Sequence, residues 1–347
     1  MGSELDGLFV THPPDLRYLS GFTGSSGVLL LHGGRATLYT DGRYTAQAKA
    51  EAVGTKVVIV PKGVLAAACE GVVAAGIRRC GFDAAQTTVA TLEAMRKAVP
   101  GKLRRSLFVP SGPVVAGLRE VKDAGEIEIL RRAALVGCGL FDRMLGFLRS
   151  GLTEIDVAAE LEHAARLAGA ESMSFETIVA SGERSALPHG RASEAKLPKR
   201  GFVTLDFGVV VDGYCSDMTR TLHLGKAVQE EFDVYDAVLE AQEAAVAAIA
   251  PGVTVGDVDE AARSVLRRAK LDQYFTHSTG HGVGLEIHEG PRLAAEQKQV
   301  LKRGMVVTVE PGVYLPGRFG VRIEDMVLVT ATGAEVLTPS VKAWTEL

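Results

Sequence analysis

Short apolar runs set between Gly-rich punctuation mark the first 120 or so residues of this chain and predict an α/β domain. GVLLLHGG (27–34) and RATLYTD (35–41) read as two strands around a hairpin, KVVIV (56–60) as a third, and 44–53 and 86–98 as helices. The loop GFTGSSG (21–27) lacks the strand-to-helix setting of a dinucleotide fingerprint. PSGPVVAGLREVKDAGEIEIL (110–130) breaks the pattern with Pro and Gly and reads as a connector entering a long helix, its charged run needing no buried partner. The boundary falls near 115–125, dividing the chain into 1–120 and 121–347.

Beyond the connector a longer period takes over, and it recurs. A helix at 124–149 leads to Thr153 and Asp156, a short-acid variant of the capping box, which opens a second helix at 154–168. About 101 residues later a helix at 228–249 leads to Thr254 and Asp257, which open another at 255–269. Strand-like sequence follows each pair: 174–182 and 202–224 after the first, 305–315 and 321–330 after the second. Two such halves predict a pseudo-symmetric α+β domain whose halves share one sheet, with a crevice that draws ligands from both.

Composition narrows the function classes. At 347 residues two domains are expected, and 47% hydrophobic with 23% charged residues indicates a globular chain with a large core. Thirty-eight basic against 42 acidic residues, net −4, argue against a general nucleic-acid binder. No apolar run of about 18 residues could span a membrane, and MGSELDGLFVTHPP lacks the basic start and apolar core of a secretory leader. Cys69, Cys80, Cys138 and Cys215 form no CxxC pair and read as free thiols of a cytoplasmic protein.

Candidate chemistry begins in TLDFGVVVDGYCSDMTRT. Asp212-Gly213 is the signal for a two-residue hairpin, which sets Asp206 opposite Thr219 and turns Asp206 and Asp217 to one face. Two carboxylates in an apolar hairpin repel, and a divalent cation between them relieves both repulsion and desolvation. Alternatively each Asp accepts hydrogen bonds at a sheet edge, or Arg220 compensates one charge. In the second half THSTGHGVGLEIHEGP holds His277, His281 and His288, with glycines around His281 that permit close backbone approach. Glu310 ends an apolar strand before Pro311, and Glu324 lies in VRIED, a charged pair inside an apolar strand. Each alone also reads as a scaffold residue. Together Asp206, Asp217, His281, Glu310 and Glu324 form a mainly oxygen set too large for one tetrahedral zinc, suited to two divalent ions, Mn²⁺ first, with Co²⁺ or Zn²⁺ tolerated.

These motifs (LDFG, SDMTRT, GHGVG, VEPG and RIED, in order) resemble the pita-bread metallopeptidases, which include methionine aminopeptidase, aminopeptidase P, prolidase and the metal-free creatinase. The resemblance runs from about residue 122 to the end. RYLSGFTG (17–24) and DGRYTAQA (41–48) resemble the creatinase-like N-terminal domain of the proline-specific members. It implies a pita-bread catalytic domain after a smaller α/β domain, the five residues above as ligands of two metal ions, and a homodimer. It further implies that Glu310 handles the water proton, that His189, His277 and His288 surround the substrate, and that Arg322 braces an acidic ligand, with Thr219 beside them. His189 and His288 equally suit hydrogen-bonded scaffold positions. The function implied is hydrolysis of Xaa-Pro dipeptides, with Arg292 fixing the substrate carboxylate and Phe175, Tyr214 or Tyr314 walling the proline ring. Arg43 and Asp41 could reach the site from the N-terminal domain, or simply pair with each other. The alternatives are an aminopeptidase P acting on longer peptides, a hydrolase or lyase of a non-peptide substrate, and a non-enzymatic binding protein of the same fold.

Overall fold

The computed structural model describes residues 5–347; the first four positions of the stretch read for a leader lie outside the described residues. The chain divides after Arg119 into two compact units. In the first, strands β1 (Gly7–Val10), β2 (Gly27–His32), β3 (Arg35–Asp41), β4 (Lys56–Val60), β5 (Cys80–Asp83) and β6 (Phe108–Ser111) form one sheet, ordered β4-β3-β2-β1-β5-β6. The central β1-β2-β3 pairs are antiparallel and the outer pairs parallel. Helices α1 (Pro13–Ser20), α2 (Thr45–Glu51), α3 (Val64–Ala74), α4 (Val89–Lys97) and α5 (Val114–Arg119) accompany it. No periodicity betrays β1, β5 and β6, because four residues each are too few for alternation to register.

The charged run of the connector does have buried partners, contrary to expectation. Arg119 is 2% exposed and donates to Asp15 Oδ1 at 2.7 Å. Lys122 Nζ lies 3.4 Å from Glu289 Oε2, and both side chains are buried. Long aliphatic stems let these cations enter the interior wherever a carboxylate meets the head group. Those carboxylates lie 104 and 167 residues away in sequence, beyond the reach of a local pattern.

In the second unit α6 (Ala124–Phe147), α7 (Glu154–Leu167), α8 (Gln229–Ala248) and α9 (Val255–Arg268) are the two expected helix pairs. Thr153 with Asp156 and Thr254 with Asp257 close capping boxes on α7 and α9, each side chain accepting the other's backbone N–H. The strands are β7 (Ser172–Met173), β8 (Ile178–Ser181), β9 (Gly201–Phe207), β10 (Val209–Val211), β11 (Tyr214–Cys215) and β12 (Met218–Leu224) in the first half. The second half adds β13 (Gly280–Gly282), β14 (Glu289–Leu293), β15 (Val306–Val309), β16 (Gly312–Leu315), β17 (Phe319–Arg322), β18 (Asp325–Val329) and β19 (Ala334–Val336). The hairpin turns at Asp212-Gly213, whose φ values of 44° and 72° are those of a primed turn. Its register sets Thr219 opposite Asp206, as the sequence predicts.

The halves do not share one uninterrupted sheet. Their strands form separate ladders, β12-β9-β8 and β14-β13-β15-β18-β19, which meet at a bridge between Thr219 and Glu324. Glu324 thus lies between β17 and β18 rather than inside one long strand. Alternation then decides what each ladder presents. Leu205, Phe207 and Met218 pack into the core under α6 and α7, so Asp206, Asp217 and Thr219 turn to the opposite face. Val307 and Val309 pack into the core under α8 and α9, and Thr308 and Glu310 turn away from it. No helix among the described residues is long and apolar enough to cross a membrane, and all four cysteines are free and buried.

Arg119→Ala should leave the buried Asp15 carboxylate with only His12, whose Nδ1 lies 3.3 Å from its Oδ2, in place of the lost cation, and destabilise the first unit by ~3 kcal/mol. Urea denaturation followed by a reporter in that unit checks this; a loss under ~1 kcal/mol would show that the pair is not desolvated in solution.

Candidate metal centre

The five sequence-predicted ligand residues line one cavity of about 640 Å³ in the second unit, together with His189, His277, His288, Arg292 and Arg322. One ligand-type atom each of Asp217, His281 and Glu324 lies within 4.8 Å of the other two. Glu310 joins them with Oε1 3.5 Å from His281 Nε2, while Asp217 Oδ2 is 3.6 Å from the same nitrogen. Asp206 lines the same cavity, held by Arg322 Nη2.

The position of His281 depends on its neighbours. A Cβ on Gly280 would meet Thr308 O at 1.9 Å and one on Gly282 would meet Gly290 O at 2.0 Å, so only glycine lets β13 close onto both flanking strands. His281 Nδ1 donates to Gly282 O at 3.0 Å, which leaves Nε2 with its lone pair directed at the carboxylates. Thr219 donates to Glu324 Oε2 at 2.7 Å and accepts from Arg322 Nε at 3.2 Å. The cation compensating the hairpin is Arg322, on Asp206. Arg220 instead faces away, donating to Asp325 Oδ1 at 2.7 Å and to the Glu324 carbonyl at 2.5 Å.

One guanidinium cannot neutralise four carboxylates. Burial, then the charges of Glu324, Asp206 and Glu310, push Asp217 well above the usual carboxylate range. Burial and the Glu310 and Asp206 charges do the same to Glu324. Burial, opposed by Arg322, lifts Glu310 to about 8. Burial pushes His281 down to about 4, so its ring is neutral at physiological pH. Asp206 Oδ1 and Asp217 Oδ1 are buried without a hydrogen-bond partner among the described residues. Unpartnered anionic oxygens, a free imidazole lone pair and unrelieved like charge are the donor set that a divalent cation fits.

The chain matches the model of metallopeptidase family M24 over residues 128–331 and that of the creatinase/prolidase N-terminal domain over 2–121. It belongs to metallopeptidase family M24. Membership implies divalent metal, and the pita-bread architecture with a creatinase-type N-terminal domain is the fold described above. A solved Xaa-Pro dipeptidase from Bacillus anthracis matches with a TM-score of 0.95 at 43% identity, over 99% of this chain and 95% of that one. An X-Pro aminopeptidase from Thermotoga maritima matches at 0.91 and 35% identity, over 99% and 98%. An Xaa-Pro dipeptidase of Pyrococcus furiosus is 36% identical over 97% of this chain and 94% of its own.

Within this M24 site the remaining predicted residues separate. His189, His288 and Arg292 are exposed at the cavity, and Phe175 lines it. His277 also lines it, but both ring nitrogens are engaged: Nδ1 donates to Ser278 O at 2.9 Å and Nε2 accepts from Tyr314 Oη at 2.9 Å. Tyr314 is not a wall of the cavity. It is a buried link that passes from His277 to Arg322 Nη1 at 2.7 Å, and so to Asp206. Tyr214 is in the core beside Leu130, Val306 and Met326, its hydroxyl donating to Glu126 Oε1 at 2.9 Å. Both tyrosines carry enough apolar surface to be buried once a polar group meets the hydroxyl, which sequence position does not reveal. Asp41 and Arg43 pair with each other in the first unit, Nη2 to Oδ2 at 2.9 Å.

Loading this centre should expel protons. Glu310 has a folded pKa of about 8 against an ordinary 4.5, so the metal-free fold gains stability from it below pH 4.5 and loses that gain as pH rises towards 8. Apparent metal affinity should therefore rise with pH across this window, with net proton release near pH 7. Titration calorimetry in two buffers of different ionisation enthalpy reads the proton count directly. Equal apparent enthalpies in both buffers would contradict the raised carboxylates.

Proposed function

We propose that the protein is a dinuclear metal-dependent Xaa-Pro dipeptidase, hydrolysing the bond before a C-terminal proline. The observation that supports the dipeptidase reading is the position of Arg292. It stands opposite His281 in the β13–β14 ladder and lines the same cavity as the five ligand-type residues. A substrate whose scissile carbonyl lies over that centre ends, one residue further on, in a carboxylate that a nearby guanidinium suits.

In this reading Asp206, Asp217, His281, Glu310 and Glu324 hold two divalent ions, Mn²⁺ in preference to Co²⁺ or Zn²⁺ because the donors are mainly oxygen. When bound, the ions supply Lewis-acid polarisation and lower the pKa of the attacking water. Glu310 accepts the proton of that water and delivers it to the proline nitrogen as the amine departs. His288, exposed at one edge but partly desolvated by the cavity, is held below the ordinary imidazole range by that desolvation and then by His189, and in its neutral form serves as a hydrogen-bond donor to the carbonyl. His189, which lines the same cavity, orients the substrate. Phe175, Ile178 and Ile287 line the cavity and offer apolar surface to the pyrrolidine ring. His277 acts through its ring surface and through Tyr314, since neither nitrogen is free. The family resemblance adds the expectation of a homodimer, and the four unpaired cysteines that of a cytoplasmic location.

Aminopeptidase P activity is the second reading, favoured by the likeness to the Thermotoga enzyme over nearly the whole of both chains. The two separate on paired substrates. Protein reconstituted with Mn²⁺, Co²⁺ or Zn²⁺ should cleave Ala-Pro in preference to Ala-Pro-Ala, by mass spectrometry of the products. Arg292→Ala should raise KM for Ala-Pro about 10- to 100-fold, the loss of one charge-assisted contact, with kcat little changed. Preference for the tripeptide, or indifference to Arg292→Ala, would move the assignment to an aminopeptidase. No Xaa-Pro cleavage by folded, fully loaded protein would reject both.

A further inference from the structure

Two fully buried carboxylates stand behind the cavity walls and belong neither to the cavity lining nor to the ligand-type set: Glu154 and Asp259, both 0% exposed. Glu154 Oε1 accepts from Ser181 N at 2.8 Å and Ser181 Oγ at 3.0 Å. Its Oε2 accepts from Ser193 N at 3.2 Å, Ser193 Oγ at 2.7 Å and Arg184 Nε at 3.0 Å. Arg184 continues through Nη2 to Arg191 O at 2.7 Å. Both ends and the interior of the segment 181–193 therefore converge on one side chain. The middle of that segment supplies Pro188, His189 and Arg191 to the cavity.

Asp259 does the same for the other wall. Its Oδ1 accepts from Thr279 N at 3.1 Å and Thr279 Oγ1 at 2.8 Å, and its Oδ2 from Arg263 Nε at 2.7 Å. Arg263 then donates to Phe275 O at 3.2 Å and to His277 O at 2.6 Å, and His277 and Ser278 line the cavity.

Helix formation does not account for either group. The starts of α7 and α9 are already closed by Thr153–Asp156 and Thr254–Asp257, and of the donors to Glu154 and Asp259 only Arg263, four residues on in α9, belongs to its acceptor's own helix. Nor is the arrangement a product of the repeat, since Glu154 opens α7 while Val255 opens α9. A loop with an exposed imidazole has many accessible conformations, and a buried carboxylate that binds both its ends removes most of them.

We propose that Glu154 with Arg184, and Asp259 with Arg263, are positioning residues that fix the two substrate-facing walls and thereby His189 and His277. The proposal rests on the peptidase reading for its kinetic consequence. Misplacing a wall by about 1 Å costs on the order of 100-fold in such chemistry.

The test uses the full-length, metal-loaded protein. Glu154→Gln and Asp259→Asn should each lower kcat/KM for Ala-Pro about 10- to 100-fold while bound metal stays at the wild-type stoichiometry. Adding His189→Ala to Glu154→Gln, or His277→Ala to Asp259→Asn, should lower it no further than the histidine change alone, within about two-fold. Hydrogen exchange should quicken within 182–193 only in the Glu154 variant and within 275–279 only in the Asp259 variant. If Glu154→Gln does not fold, Arg184→Met, which keeps the four serine hydrogen bonds to Glu154, carries the same test, as Arg263→Met does for Asp259. Additive losses, metal loss in parallel with activity, or unchanged exchange would overturn the proposal. Should the wild type cleave no Xaa-Pro bond, the functional reading falls, and the exchange pattern still decides whether these carboxylates set the walls.

Discussion

Four carboxylates enclosed with a single guanidinium is the constraint around which the second unit is built. Two like charges about 4 Å apart repel by about 4 kcal/mol at the effective dielectric of a protein. Asp206, Asp217, Glu310 and Glu324 cannot all be ionised there on the strength of Arg322 alone. The positive charge must come from bound protons, which the raised Glu310, Asp217 and Glu324 indicate, or from divalent cations. A fold that keeps such a cluster is committed to bringing positive charge to it, as protons or as metal.

The architecture meets that commitment by separating duties between the two faces of its ladders. One face of β9, β12 and β15 anchors in the helix-covered cores, and the residues between those anchors turn to the cavity. The halves join at Thr219 and Glu324, where a hydroxyl donates across the seam to a carboxylate. The seam therefore draws acids from both halves. The close packing of β13 on its neighbours brings in the imidazole, at positions where the backbone admits no Cβ on either side of His281.

Around the charged floor the walls are irregular loops, and irregular backbone needs something to hold it. Buried carboxylates supply the hold in both halves, through serines and an arginine in one and a threonine and an arginine in the other. The ligand-type residues and the walls that carry His189 and His277 thus draw on different parts of the unit. Ligand-type residues sit on strands or at their ends; of the groups proposed to face substrate, His189 and His277 sit on braced loops and Arg292 on β14. Relatives named for dipeptidase and for aminopeptidase activity share this whole architecture, so the fold by itself does not separate the two activities.

Much of this is written locally. The helix pairs, their Thr–Asp caps, the Asp212-Gly213 turn and the common face of Asp206 and Asp217 follow from period and turn chemistry alone, because each depends on residues a few positions apart. The type and order of the five ligand-type residues are also legible in the chain, from charged groups set in apolar strands and from the family resemblance. Tertiary structure decided which distant group answers each charge: Arg322 rather than Arg220 on Asp206, Asp15 on Arg119, Glu289 on Lys122. It also sent Tyr214 to the core, made Tyr314 a link between His277 and Arg322, and gave Glu154 and Asp259 their loops. Alternation states which face a side chain takes, but not what lies across from it. That is settled only when segments 100 or more residues apart pack together and every buried polar group must find a partner.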